Sequence, residues 1–136
     1  MPQVSKNKLE AKAEKELLES LDFIFSSISK EDEMQVFVNT LMTKVEKLML
    51  AKRIGIVVLI SQGLNDSQIA STMNVTRITV AKTRYFYEAR GKEGFEIGLS
   101  KLKQKERMDK LRNVLNSLAR YSIRAAGGRV KPQIFD

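Results

Sequence analysis

The side chains best suited to recognition chemistry lie in one stretch of the sequence, residues 64–90. Its second half carries Arg77, Lys82 and Tyr85 at spacings that place them on the outer side of one helix. An arginine at the start of such a helix can donate two hydrogen bonds to O6 and N7 of guanine. Lys82 and Tyr85 could reach bases or the flanking phosphate. The stretch is therefore typical of a helix that contacts DNA.

Small apolar and hydroxyl side chains complete the predicted contact surface. Apolar groups such as Ile78 and Ala81 could meet thymine methyl groups, and hydroxyls near a helix N-terminus suit phosphate oxygens. The predicted DNA-contact residues are Ser67, Thr76, Arg77, Ile78, Thr79, Ala81, Lys82 and Tyr85. Asp66 would repel a phosphate, so we expect its carboxylate to act only on the dipole at the start of its own helix.

Two short helices joined by a tight turn are predicted to position these residues. Asn65 is a good N-cap, and Gln68 can complete a capping box three residues later. Asn74 can adopt the left-handed conformation of the turn, and Thr76 can cap the second helix. The pattern predicts a helix-turn-helix in which residues 77–90 form the outward helix.

The apolar residues of the same stretch predict how the two helices pack together. The small Ala70 allows the second helix to cross closely, and Arg84 is expected to turn inward or sideways. The predicted inner residues are Ile69, Ala70, Met73, Val75, Val80, Tyr87 and either Thr83 or Arg84. An ordinary pair of packed helices is the structural alternative to a pair that reads DNA.

The helix-turn-helix resembles that of the Trp repressor family, and the likeness extends across residues 15–97. Thr43 and Glu46 are similar to the family's Thr-x-x-Glu helix start, and residues 48–63 resemble the long helix that leads into its reading head. Residues 23–42 resemble the family's paired N-terminal helices. The resemblance implies an all-α, Trp repressor-like helical bundle that forms an intertwined homodimer.

The apolar content of residues 17–60 also favours association of two chains. Apolar residues occupy nearly all sides of the later part of the helix predicted to end at Gly63, and such a helix must be buried on several sides. A monomer that folds these helices on themselves is the alternative. A twofold dimer would place two reading heads about 34 Å apart and would favour a palindromic operator.

The resemblance also bears on tryptophan binding. Arg53 matches one of the two arginines that line the family's pocket. Lys82 stands at the position of the second arginine and keeps its positive charge, but lysine lacks the planar guanidinium group. Thr83 and Phe86 stand where the family pocket needs Gly and Ser. Their bulk is expected to fill the cavity, so we predict no tryptophan corepressor and no other cofactor. Arg53 is then expected to be an ion-paired or snorkelling residue.

Composition argues against several classes of protein. The 136 residues contain no Cys and no His, which removes thiolate and imidazole metal ligands and the commonest general base. No glycine-rich phosphate loop or supported carboxylate pair is present, so the chain is not expected to be an enzyme. The longest apolar run, residues 54–60, is too short to span a bilayer. We expect a cytoplasmic, nucleoid-associated protein without a signal peptide or membrane segment.

The net charge of +8 is spread unevenly along the chain. Residues 1–50 carry a net charge of −2, residues 51–94 carry +4, and residues 95–136 carry +6. This gradient indicates a near-neutral half suited to assembly and a basic half suited to a polyanion.

The remaining segments are predicted from hydrophobic spacing and from helix-start and helix-stop signals. Helices are expected over residues 7–28, 29–42 and 43–63, with a break at 91–94 and one long basic helix over 95–126. The predicted organisation is a dimerisation and helix-turn-helix domain at 1–94 with its reading head at 65–90, then the long helix, then a flexible tail at 127–136. The long helix could pack on its own domain or on the dimer mate, follow DNA phosphates, or lie on a membrane surface.

The sequence therefore predicts a regulator, a repressor in particular, that reads the major groove of double-stranded DNA. A helical protein-interaction module is the main alternative, and its binding would show little dependence on salt. A non-specific architectural nucleic-acid-binding protein is another. RNA binding is a third, since Tyr85, Phe86 and Tyr87 are adjacent, although helical geometry turns at least one of these rings inward.

Overall fold

The computed structural model describes residues 8–104 and 107–125, with side chains placed as far as residue 122. Every regular element in these residues is helical, which confirms the all-α prediction. The elements are α1 (Ala11–Ser27), α2 (Glu31–Leu41), α3 (Lys44–Ser61), α4 (Asp66–Met73), α5 (Arg77–Phe86), a π-helical turn (Tyr87–Gly91), α6 (Lys92–Gln104) and α7 (Met108–Ala125). None of these helices combines the length and apolar content needed to cross a membrane.

The chain divides into two compact units, residues 1–49 and 50–136, and the division falls within α3. The predicted boundary after residue 94 differs from this division, because α6 and α7 belong to the same unit as α4 and α5. The physical reason is that α7 packs directly on α4, so the C-terminal helices complete the core around the helix pair.

The first unit is built from α1, α2 and the first turns of α3. The rings of Phe25 and Phe37 meet edge to face, with their centroids 5.7 Å apart. No residue from 8 to 49 is buried, and Phe23 is 71% exposed. This unit therefore carries a large apolar surface that its own residues leave open to solvent.

The predicted start of α3 at Thr43 is confirmed. The Thr43 amide donates to Glu46 Oε1 at 2.9 Å, and the Glu46 amide donates to Thr43 Oγ1 at 3.1 Å. These reciprocal bonds form a capping box. The hydrogen bonds from Thr43 lower the pKa of the Glu46 carboxyl, because they favour its charged form, so protonation of the carboxylate weakens the bond from the Thr43 amide.

The core of the second unit is centred on the later half of α3. Residues 55–60 are all buried. Four of them share one apolar cluster with Ile69, Val80 and Leu115, and these four are Ile56, Val58, Leu59 and Ile60. The predicted burial of this helix on several sides is thus met by helices of the same chain. The all-round apolar pattern of residues 55–60 does not by itself require a second subunit. Gly63 ends the helical segment with φ +86°, as predicted.

The predicted break at residues 91–94 is wrong, since the chain stays helical from α5 through the π-helical turn into α6. Gly91 permits this continuity because its lack of a Cβ lets the turn pass against Phe86. A Cβ at residue 91 would lie 2.7 Å from Phe86 Cε1 and 3.2 Å from the Phe86 carbonyl oxygen. Gly91 is therefore a site where the helix backbone approaches the Phe86 side chain closely, and it does not end the helix.

The predicted single helix over residues 95–126 is also wrong, because it is two helices, α6 and α7. The Arg107 amide donates to the Leu102 carbonyl at 2.9 Å and so closes the end of α6. Met108, Leu115 and Ala119 of the second helix, α7, are buried in the second unit. The predicted tail at 127–136 lies outside the described residues.

Replacing Gly91 by alanine should lower the free energy of unfolding by about 1–3 kcal/mol, the usual cost of overpacking. The Phe86 ring would have to leave its edge-to-face contact with Phe95, and the Phe86 backbone carbonyl, 3.2 Å from the added Cβ, would remain close. Gly94→Ala is the matched control, since a Cβ at residue 94 meets nothing within 4 Å. That control should gain roughly 0.5–1 kcal/mol of helix propensity. Urea denaturation followed by circular dichroism measures both, and equal effects would contradict the close approach at Gly91.

Candidate nucleic-acid interface

The start of α4 is fixed by the predicted capping box. The Gln68 amide donates to Asn65 Oδ1 at 2.9 Å, and the Asn65 amide donates to Gln68 Oε1 at 3.1 Å. Two of the backbone groups that a helix start leaves unpaired are satisfied in this way. The first helix of the pair therefore begins at a defined residue with a defined entry direction.

The turn between α4 and α5 depends on Asn74, which has φ 53° and ψ 54°. It is the only residue other than glycine with positive φ among the described residues. The Val75 amide donates to the Ala70 carbonyl at 3.0 Å, and Lys52 Nζ donates to the Asn74 carbonyl at 3.4 Å. The predicted left-handed turn at Asn74 is confirmed.

The start of α5 is capped by Thr76, as predicted. Its hydroxyl accepts a hydrogen bond from the Thr79 amide at 3.1 Å and lies 2.9 Å from the Thr79 hydroxyl. The cap leaves the first turn of α5 at the protein surface, since residues 76–79 are all exposed. The free end of this helix can therefore approach a ligand without rearrangement of the backbone.

The inner side of the pair matches the predicted pattern. Ile69 and Val80 are fully buried and Ala70 is nearly so, while Met73 and Val75 are partly buried against the same cluster. Ala70 is small where α4 and α5 cross. The pair is therefore held by apolar packing as well as by its caps and turn.

All eight predicted contact residues are exposed. Ile78 and Tyr85 are 68% and 76% exposed, which is unusual for large apolar and aromatic side chains. Arg77, Ala81 and Lys82 share the same outward side of α5. The structure brings these residues to one face of α5, with Ser67 on α4 beside its start.

The predicted role of Asp66 needs correction, because its carboxylate pairs with Arg84 of α5. Arg84 Nε donates to Asp66 Oδ1 at 2.8 Å, and Arg84 Nη2 donates to the Leu64 carbonyl at 3.1 Å. The expectation that Arg84 turns away from the outer face is confirmed. The sequence carried the signal in the two opposite charges, but their separation of 18 positions becomes a contact only when the helix pair folds.

An open groove of about 620 Å³ lies between the start of α4 and the start of α5. Its lining residues are Leu64, Asn65, Asp66, Ser67, Arg77 and Arg84. Two predicted contact residues, Ser67 and Arg77, thus open onto the same space. Within the described part of the chain, the Arg77 side chain makes no hydrogen bond or ion pair. Its guanidinium can therefore be offered to a ligand.

Thr83 and Phe86, the two residues predicted to fill a corepressor cavity, contact residues of the same chain. The Thr83 hydroxyl donates to the Thr79 carbonyl at 2.9 Å. The Phe86 ring packs 6.5 Å from the Phe95 ring, and the Arg90 guanidinium lies 5.4 Å from its centroid. Lys82 is exposed on the outer face of α5, which suits the DNA-contact role predicted for it.

Comparisons of the chain with protein-family models, with curated proteins and with solved structures find no match. No group of metal-ligating side chains comes together among the described residues. Function is therefore inferred from the geometry of α4, α5 and the groove between them.

Changing Asn74 to valine should lower the free energy of unfolding by about 1–2 kcal/mol. In the left-handed conformation a Cβ lies close to the backbone carbonyl oxygen, and a side chain branched at Cβ makes that clash worse. Asn74→Gly keeps the turn accessible and should change stability by less than about 1 kcal/mol. Urea denaturation followed by circular dichroism compares the two variants. A valine variant as stable as the glycine variant would show that the turn does not need this conformation.

Proposed function

We propose that this chain is a sequence-specific double-stranded DNA-binding regulator of transcription that reads the major groove with α5. The observation that carries the proposal is the capped and turned α4–α5 pair with Arg77, Ile78, Lys82 and Tyr85 exposed on its second helix. A major groove is wide enough to admit one α-helix, and an exposed α5 presents its first turns to the base edges.

The charge of the helix pair supports DNA as the ligand. The two helices, residues 66–86, contain three basic side chains, Arg77, Lys82 and Arg84, and one acidic side chain, Asp66, which forms an ion pair with Arg84. Hydroxyls at Ser67, Thr76 and Thr79 add donors at two helix N-termini, where backbone amides also favour phosphate. A surface with hydroxyl donors and net positive charge suits a polyanion.

We further propose a homodimer that binds a palindromic operator. The support is the exposed apolar surface of residues 8–49, where Phe23, Val36 and Val45 are 71%, 68% and 68% exposed. Soluble proteins seldom leave such a surface open, and a second copy of the same unit could cover it. Twofold symmetry would then present two α5 helices to two half-sites. A repressor acts in this arrangement by occupying an operator within the nucleoid.

A helical protein-interaction module is the second candidate function. The same apolar surface of residues 8–49 favours it, because that surface could bind an unrelated helix instead of a second copy. The outcome of DNA selection separates the two candidates. An interaction module would enrich no sequence and would show little salt dependence.

Selection from a random duplex library at two salt concentrations tests the proposed function. We expect enrichment of a palindromic site, with affinity that falls steeply as salt rises, because cations on the protein displace counterions from DNA. Salt-sensitive binding without enrichment would indicate an architectural protein. No binding at low salt would contradict the DNA-binding function.

Arg77→Ala should weaken binding to the selected site by about 1–3 kcal/mol and reduce sequence preference at one base pair. Lys101→Ala on α6 is the matched control, since it removes one exposed positive charge outside the helix pair. Fluorescence anisotropy with the selected duplex and with a scrambled duplex measures both effects. The assignment of Arg77 fails if the alanine variant keeps the affinity and the preference of the wild-type protein.

A further inference from the structure

Asp66 is the one acidic side chain between residues 64 and 87, and it lies in the groove that Arg77 and Ser67 also line. A carboxylate in this position opposes DNA binding in two ways. It repels a phosphate that approaches the start of α4, and it can attract the arginine proposed to read a base. A groove that binds DNA must therefore neutralise Asp66 by another group.

Arg84 supplies that neutralising charge in the structure. Its Nε donates to Asp66 Oδ1 at 2.8 Å while its Nη2 donates to the Leu64 carbonyl at 3.1 Å. The side chains of Arg84 and Asp66 are 28% and 33% exposed, so the pair is partly shielded from water. The second bond, to a backbone carbonyl, fixes the orientation of the guanidinium toward the carboxylate.

Two arginines of α5 line the groove that contains this one carboxylate. Arg84 and Arg77 lie two helical turns apart, at opposite ends of α5. Arg84 pairs closely with Asp66, at 2.8 Å, and more loosely with Glu88, at 3.8 Å. The Arg77 side chain has no hydrogen-bond partner among the described residues. The arrangement keeps the outer arginine available.

We propose that Arg84 is a positioning residue that holds the Asp66 carboxylate and thereby keeps Arg77 available to DNA. The inference rests on the proposed DNA-binding function. Loss of Arg84 leaves Asp66 as an unpaired anion in the groove, which draws Arg77 toward it and repels the phosphate. Loss of the Asp66 charge has the opposite effect, because the anion that repels the phosphate is removed while Arg84 keeps its bond to the Leu64 carbonyl and Arg77 stays available. Two variants that break the same ion pair thus act on DNA binding in opposite directions.

The experiment compares Arg84→Gln, Asp66→Asn and the double variant in binding to the selected duplex. Arg84→Gln should lower affinity by about five- to 150-fold, the range for losing a base-contacting arginine. Asp66→Asn should bind at least as tightly as the wild-type protein. The double variant, whose net charge equals that of the wild-type protein, should recover most of the affinity lost in Arg84→Gln.

Three controls separate positioning from folding and from general charge. Lys101→Gln removes the same charge from α6 and should cause a much smaller loss than Arg84→Gln. Arg84→Lys keeps the positive charge but lacks the guanidinium group that bonds two acceptors, so it should retain part of the affinity that Arg84→Gln loses. Arg77→Ala should cost less in the Arg84→Gln background than in the wild-type protein, because Arg77 is already engaged there. Circular dichroism melting reports whether each variant is folded.

Equal loss of affinity in Arg84→Gln and Asp66→Asn, with normal binding by the wild-type protein, would show that the ion pair only stabilises the fold. That result overturns the inference and leaves the proposed function intact. Wild-type affinity in Arg84→Gln would overturn it as well. If Arg84→Gln does not fold, Asp66→Asn still decides, since any weakening of its DNA binding contradicts the inference. Absence of DNA binding by the wild-type protein would overturn the proposed function together with the inference.

Discussion

The geometry of the helix pair depends on one backbone constraint, the left-handed conformation of Asn74. This residue reverses the chain direction, so that only three residues, 74–76, separate α4 from α5. The reversal lets Val80 enter the core beside Ile69, and the outward side of α5 then follows from helical geometry. Asparagine accepts this conformation at lower cost than other residues with a Cβ because its side chain is short and polar. The exposure of Arg77 and Tyr85 is thus a consequence of the turn.

The helix caps and the Asp66–Arg84 ion pair fix the orientation of α5 relative to α4. The Asn65 capping box and the Thr76 cap fix where each helix begins, while Arg84 joins the last turns of α5 to the first turn of α4. Contacts of this kind contribute little stability each, and apolar packing supplies most of it. Their effect is directional, because each one restricts how α5 can rotate against α4. Under the proposed function, a surface that matches base edges would need that restriction more than it needs additional stability.

Local signals in the sequence predicted the helix pair well, and long-range packing explains the failures. The caps at Asn65, Thr76 and Thr43 and the turn at Asn74 depend on side chains within a few residues, so their types and spacing were sufficient. The glycine at residue 91 predicts a break, but its role depends on the Phe86 ring, which the π-helical turn brings against it. The division between α6 and α7 depends on burial of Leu115 and Ala119 against the core, and heptad spacing alone does not contain that information.

The two units differ in how far their apolar residues are covered by their own chain. In the second unit, α3, α4, α5 and α7 bury one continuous cluster that includes Ile56, Leu59 and Val80, so the helix pair has a complete core. In the first unit, no described residue is buried. The inner side of the α4–α5 pair is therefore covered by residues of its own unit. Under the proposed function, dimerisation would act on DNA binding through the spacing of two preformed heads and through effective concentration, and the recognition surface itself would be the property of a single chain.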